Sequence, residues 1–131
     1  MHRPYHEGSI NAQEIQMSIT RHEPGPILSL ASEHGNTVYL AGIVAKNLKA
    51  DVKGQTQEIL AEIDRLLAKC GSSKSKILSA QIWVTDIRNR EPMNTVWNAW
   101  VDQANKPPRA CVEAALASPD ALVEIMVIAA K

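Results

Sequence analysis

The chain contains no phenylalanine at all, and its aromatic residues amount to 4% of 131 positions. An aromatic stacking surface for single-stranded nucleic acid is therefore hard to assemble. It also lacks net charge: Lys plus Arg and Asp plus Glu each count 14. That balance gives no general attraction to a phosphate backbone or an anionic membrane, so nucleic acid is a poor partner. No stretch reaches the roughly 20 apolar residues of a membrane span. The opening Met1-His2-Arg3-Pro4-Tyr5 has no apolar run behind its basic residue and so gives no secretory signal. Only two cysteines occur, Cys70 and Cys111. Without a secretion signal such a pair is expected as reduced thiols in the cytoplasm. The four histidines, His2, His6, His22 and His34, show no ligand-like spacing and no clustered cysteines, so no metal is expected.

Against these absences stands an ordinary globular composition, 45% hydrophobic and 21% charged. The length suits one domain over residues 1–131, of which the first twenty or so are weakly patterned. An edge strand is expected around Gln16 to Arg21. Gly35-Asn36 marks a turn between Ile27–Ala31 and Thr37–Ile43, which together predict a hairpin. Asp51 is an N-cap candidate for a helix whose apolar positions run from Val52 through Ile59, Leu60, Ile63, Leu66 and Leu67 to Cys70, with Gly71 as its stop. Ile77 to Asp86 predicts a strand. Met93, Val96, Trp97, Trp100 and Val101 repeat at helical spacing behind Pro92, and Lys106-Pro107-Pro108 is expected to end that helix. Two strands follow, Arg109 to Ala115 and Leu122 to Ala130, hinged at Ser118-Pro119-Asp120.

This order predicts an α+β fold, one sheet with two helices on one face. The last strand, Ala121 to Ala130, is apolar at both parities, so its second face also needs shielding. No chain is left over to shield it; another copy arranged with closed cyclic symmetry would do so. Glu124 is the one ionisable group in that strand and needs a partner, a raised pKa or a wet pocket. Arg109 starts the neighbouring strand behind two prolines, and its planar fork suits a small carboxylate. Each also has a plain structural reading, a buried ion pair for Glu124 and a surface salt bridge for Arg109. Cys111 shares a face with Arg109 by alternation, but no nearby histidine would activate it. The three tryptophans fall at core positions and are expected to serve packing, with one of them able to reach an interface.

Several segments together resemble the Rid (YjgF) family: Gly35-Asn36-Thr37-Val38-Tyr39-Leu40-Ala41-Gly42, Gln55-Thr56, Ile82-Trp83-Val84-Thr85-Asp86, Met93-Asn94, Pro108-Arg109-Ala110-Cys111-Val112-Glu113-Ala114 and Val123-Glu124-Ile125. The likeness runs from about Gly25 to the C-terminus, and the segment around Arg109 is its most specific part. It implies a chorismate-mutase-like fold, a homotrimer with clefts between subunits, and a hydrolase that acts without a cofactor. The activity so implied is an enamine or imine deaminase, converting small 2-imino acids such as 2-iminopropanoate and 2-iminobutanoate to 2-oxo acids and ammonia. By the same likeness Arg109 clamps the substrate carboxylate and Glu124 positions water. Backbone at Gly42 and Cys111, with the Asn94 side chain, lines the pocket. Two positions depart from the pattern. Gly25-Pro26-Ile27-Leu28 lacks the usual tyrosine after Gly-Pro, and Ala41 replaces the usual serine before the strand glycine. A non-catalytic acid-binding regulatory trimer is therefore a second expectation, and an endoribonuclease or translation inhibitor, as the family has also been described, a third.

Overall fold

The structure, a computed structural model, describes residues 18–131. Its strands are β1 (Ile19–Pro24), β2 (Ser29–His34), β3 (Thr37–Leu40), β4 (Ile77–Val84), β5 (Arg109–Glu113) and β6 (Val123–Ala130); its helices are α1 (Val52–Lys69) and α2 (Arg90–Trp100). They form one six-stranded sheet in the order β1-β2-β3-β6-β4-β5. Only β4 and β5 run parallel among its neighbours, as the α2 crossover between them requires. The β6 strand, last in sequence, inserts between β3 and β4. Among the described residues, no helix is long and apolar enough to cross a membrane.

Local chemistry fixes these elements. Gly35 takes φ +60° at the first central position of the β2–β3 turn, where a type II′ hairpin wants glycine. Asp51 Oδ1 accepts the Gly54 N–H at 2.9 Å and caps α1. At the other end Gly71 turns left-handed at φ +77°, with Gly71 N–H on Ala68 O and Ser72 N–H on Leu67 O, the paired bonds of a Schellman stop. Gln55, fully buried in α1, donates to the Ala50 and Asp120 carbonyls and accepts the Leu122 N–H at 2.9 Å. It therefore ties the helix start to the turn that feeds β6, and every polar atom of its amide is matched.

Several boundaries differ from the sequence expectation: β2 runs from Ser29 to His34 rather than from Ile27 to Ala31, β3 ends at Leu40 rather than Ile43, and β5 ends at Glu113 rather than Ala115. Helix α2 stops at Trp100, six residues before Lys106, because Val101 is already extended at ψ 146°. There Asp102 takes over, accepting from the Ala104 N–H and from Asn105 Nδ2, both at 3.0 Å. A side chain that bonds its own following backbone competes with helix continuation. Likewise β4 ends at Val84, and Asp86 caps a short 3₁₀ turn by accepting the Arg88 N–H. The edge strand exists as β1, from Ile19 to Pro24; Gln16 and Met17 lie outside the described residues.

Alternation along β6 divides the sheet into two faces. Val123, Ile125, Val127 and Ala129 are buried in one core with Val38, Leu40, Ile82, Val84 and the apolar stripe of α1. Glu124, Met126, Ile128 and Ala130 point the other way and are only partly covered. Tyr39, paired with Ile128, and Val112, paired with Trp83, add exposed apolar surface to that second face.

Candidate functional site

Arg109 follows Pro107 and Pro108, whose rings hold the backbone extended into β5; the Pro108 carbonyl accepts the Ala80 N–H at 3.1 Å. In register, Arg109 lies beside Ala80 and Cys111 beside Ile82. Both are thereby placed on the helix-covered side, where α2 receives the arginine. Its Nη2 donates to Asn94 Oδ1 at 2.7 Å, Nη1 lies 4.0 Å from the Met93 sulfur, and the guanidinium carbon stands 5.2 Å from the Trp97 ring centroid. Trp97 lies four residues after Met93 and three after Asn94, so its ring sits one turn along from both on the helix surface that receives the guanidinium. Among the described residues no carboxylate forms an ion pair with Arg109. Burial pulls its pKa below the ordinary guanidinium value, yet an arginine stays charged. The result is a half-buried cation, aimed and stacked, with donors left for an anion. Burial also pushes the Cys111 thiol up, against an opposing effect of Arg109. Cys111 is therefore a poor thiolate nucleophile, and its neighbourhood serves better as wall than as reagent.

Glu124 belongs to a different place. It pairs with Trp83, whose other neighbour is Val112, so the three share the face opposite Arg109. Leu40 and Ile43 are both buried on the core side although three residues apart, so the chain breaks its alternation at Ala41-Gly42. Ile43 then rejoins the sheet by exchanging hydrogen bonds with Ile125, at 2.9 and 3.1 Å. This detour presses the Gly42 backbone against the carboxylate: a Cβ at Gly42 would stand 2.2 Å from Glu124 Oε2. Gly42→Ala should cost little stability, because only the far end of a flexible side chain must yield. The displaced carboxylate should nevertheless lower any reaction that uses it by about 10²-fold, the penalty of a misplacement near 1 Å. Thermal midpoint and rate measured together check both halves of this expectation.

Within the chain the structure thus joins Arg109, Asn94 and Cys111 in one cluster, and Gly42 with Glu124 in another, on opposite faces of the sheet. Gly42 also borders a cavity of about 850 Å³ walled by Leu28, Leu30, Ile43, Val44 and the α1 side chains Glu58, Glu62 and Arg65. Ile27, where the aromatic hydroxyl is absent, is 91% exposed. Sequence reasoning assigned Trp97 to packing and passed over its second role as the seat of Arg109. Its position three residues after Asn94 on the same helix was the available signal.

Comparison with known proteins agrees with this arrangement of elements. The family model described as Endoribonuclease L-PSP matches residues 20–131. A RutC family protein of Haemophilus influenzae is 46% identical over 114 residues, covering 86% of this chain and 98% of the relative. The chain belongs to this Rid/YjgF family. Another RutC family protein, YoaB of Escherichia coli, is 45% identical over 97 residues, 74% of this chain and 84% of its own. The crystal structure of a YjgF family member from Neisseria meningitidis superimposes with a TM-score of 0.86 at 41% identity, covering 88% of this chain and 97% of that one.

Proposed function

We propose that this Rid protein is a hydrolytic deaminase of small 2-imino and enamine acids, releasing 2-oxo acids and ammonia, and that it works as a homotrimer. The observation that carries the reading is Arg109: a half-buried guanidinium held by Asn94 and Trp97, with no carboxylate paired to it among the described residues. Such a fork fits a small carboxylate by two parallel charge-assisted hydrogen bonds. A single seated arginine suits a compact acid better than a polynucleotide, which would call for a basic stripe.

The chemistry asks little more than orientation. With the carboxylate on Arg109, the adjacent imine carbon is electrophilic and can be attacked by water whose proton passes to Glu124. Glu124 passes that proton to the nitrogen to complete the carbinolamine, whose hydroxyl proton then travels through Glu124 to the nitrogen as the C–N bond breaks, leaving the 2-oxo acid and ammonia. Neither a cofactor nor a covalent intermediate enters this scheme. Because Glu124 and Arg109 face away from each other in one copy, the reading requires Arg109 of one protomer to meet Glu124 of another. The partly covered face bearing Tyr39, Met126 and Ile128 offers apolar surface for that association.

A second reading, binding without turnover, draws support from Ile27 and Ala41, which remove both hydroxyls from the pocket. An amino acid oxidase supplying 2-iminopropanoate, coupled to detection of 2-oxo acid or ammonia, separates the two. Acceleration above the spontaneous rate is the expected result, together with a light-scattering mass three times that of the chain. Tight binding of pyruvate-like acids with no acceleration would establish the regulatory reading instead, and a stable monomer would remove the composite site.

A further inference from the structure

Three donors that are remote in sequence meet behind the edge hairpin. His22 on β1, Glu33 on β2 and Cys70 at the C-cap of α1 bring their ligating atoms within 4.8 Å of one another. The β1–β2 register sets His22 beside Ala31 and Glu33 beside Thr20, on the helix-covered side, where the end of α1 delivers a nearly buried Cys70. This edge of the sheet is remote from β5 and Arg109. Glu33 is oriented by its two oxygens separately: Oε1 is held by Lys131, and Oε2 faces His22 Nε2 at 2.5 Å.

We propose that His22, Glu33 and Cys70 form a binding site for one divalent transition-metal ion of the zinc type, with water completing four-coordination. Imidazole, carboxylate and thiolate are all established zinc ligands, and four-coordinate sites with three protein ligands keep one open position. Tetrahedral bonds of about 2.0–2.3 Å imply donor separations near 3.5 Å, so the cluster must open slightly between His22 and Glu33 and close slightly on Cys70. One thiolate and one carboxylate cancel the ion's two charges, which suits a site whose His22 and Glu33 side chains are 16% and 14% exposed. Coordination expels the thiol proton to solvent, while the imidazole keeps one proton on its non-ligating nitrogen. Burial pushes the Cys70 thiol up, so in the absence of an ion it packs as a small neutral hydrophobe. Lys131 plays the part of an outer partner that fixes the ligating carboxylate. A bound ion would also tie both strands of the edge hairpin to the helix end.

The test uses the full-length reduced protein titrated with Co²⁺ and then Zn²⁺. One equivalent of Co²⁺ should produce a near-ultraviolet thiolate-to-cobalt charge-transfer band with visible bands of four-coordinate intensity, and Zn²⁺ should erase them. The signal should survive Cys111→Ser and vanish in Cys70→Ser. His22→Ala and Glu33→Gln should each weaken binding by about tenfold or more. Histidines near the N-terminus cannot mimic the band, since they supply no thiolate. Its absence in the wild-type protein at millimolar Co²⁺, or its persistence in Cys70→Ser, would overturn the site. Should Cys70→Ser fail to fold, the wild-type titration and the His22→Ala affinity decide the matter.

Discussion

Arg109→Ala is expected to lose both ligand binding and turnover while remaining folded. The side chain would surrender a charge-assisted bidentate contact in a partly desolvated cleft, on the order of 2–5 kcal/mol, or about 30- to 5,000-fold in affinity for a pyruvate-like acid. Stability should change far less, because among the described residues the guanidinium pairs with no carboxylate, so its removal strands no buried charge there. Asn94 Oδ1 loses a donor at a position that water can reach. Arg109→Lys should recover part of the affinity, since charge persists but the planar fork does not. Calorimetry with pyruvate, the coupled deaminase assay and a thermal melt are read together. A folded Arg109→Ala protein with wild-type rate would remove the mechanism.

Glu124→Gln should separate binding from chemistry. An amide keeps the shape beside Gly42 but accepts no proton, so kcat should fall by about 10²–10⁴-fold with ligand affinity almost unchanged. Combined with the arginine variant, it also tests where the site is assembled. If each site takes Arg109 from one copy and Glu124 from the next, co-expressing Arg109→Ala and Glu124→Gln chains restores both groups at about a quarter of randomly formed interfaces. Two nearly dead proteins would then yield a mixture with about a quarter of the wild-type rate. A mixture that stays dead, although the chains demonstrably co-assemble, would place both residues in one protomer and contradict the opposite faces on which the sheet sets them.

Much of this molecule was legible from residues alone because its strongest signals are local. Asp51 and Gly71 bracket α1 by hydrogen bonding and by φ, physics confined to one turn of chain. Gly35 does the same for the β2–β3 hairpin. Periodicity picked out the buried apolar residues of α1, since a face pattern is a property of sequence spacing, but not the buried Gln55 and Thr56; β6, apolar at both parities, left its core face undecided. The end of α2 escaped because Lys106-Pro107-Pro108 was the conspicuous stop, whereas the decisive event is the quieter turn made by Asp102.

The candidate site divides along the same line. Sequence alone determined that Arg109 and Cys111 share a face, because strand alternation is a covalent periodicity, and that Glu124 is an ionisable group out of place in an apolar strand. Which face each occupies depends on pairing across β4, and on the break at Ala41-Gly42 that sets a backbone against the Glu124 carboxylate. The seat of Arg109 on Asn94 and Trp97 likewise depends on how α2 lies over the sheet edge. So does the meeting of His22, Glu33 and Cys70, residues that no spacing rule connects. Registers and helix docking are set by summed long-range packing, which no short window of sequence contains; the tertiary structure alone therefore decided that Arg109 and Glu124 face apart within one chain.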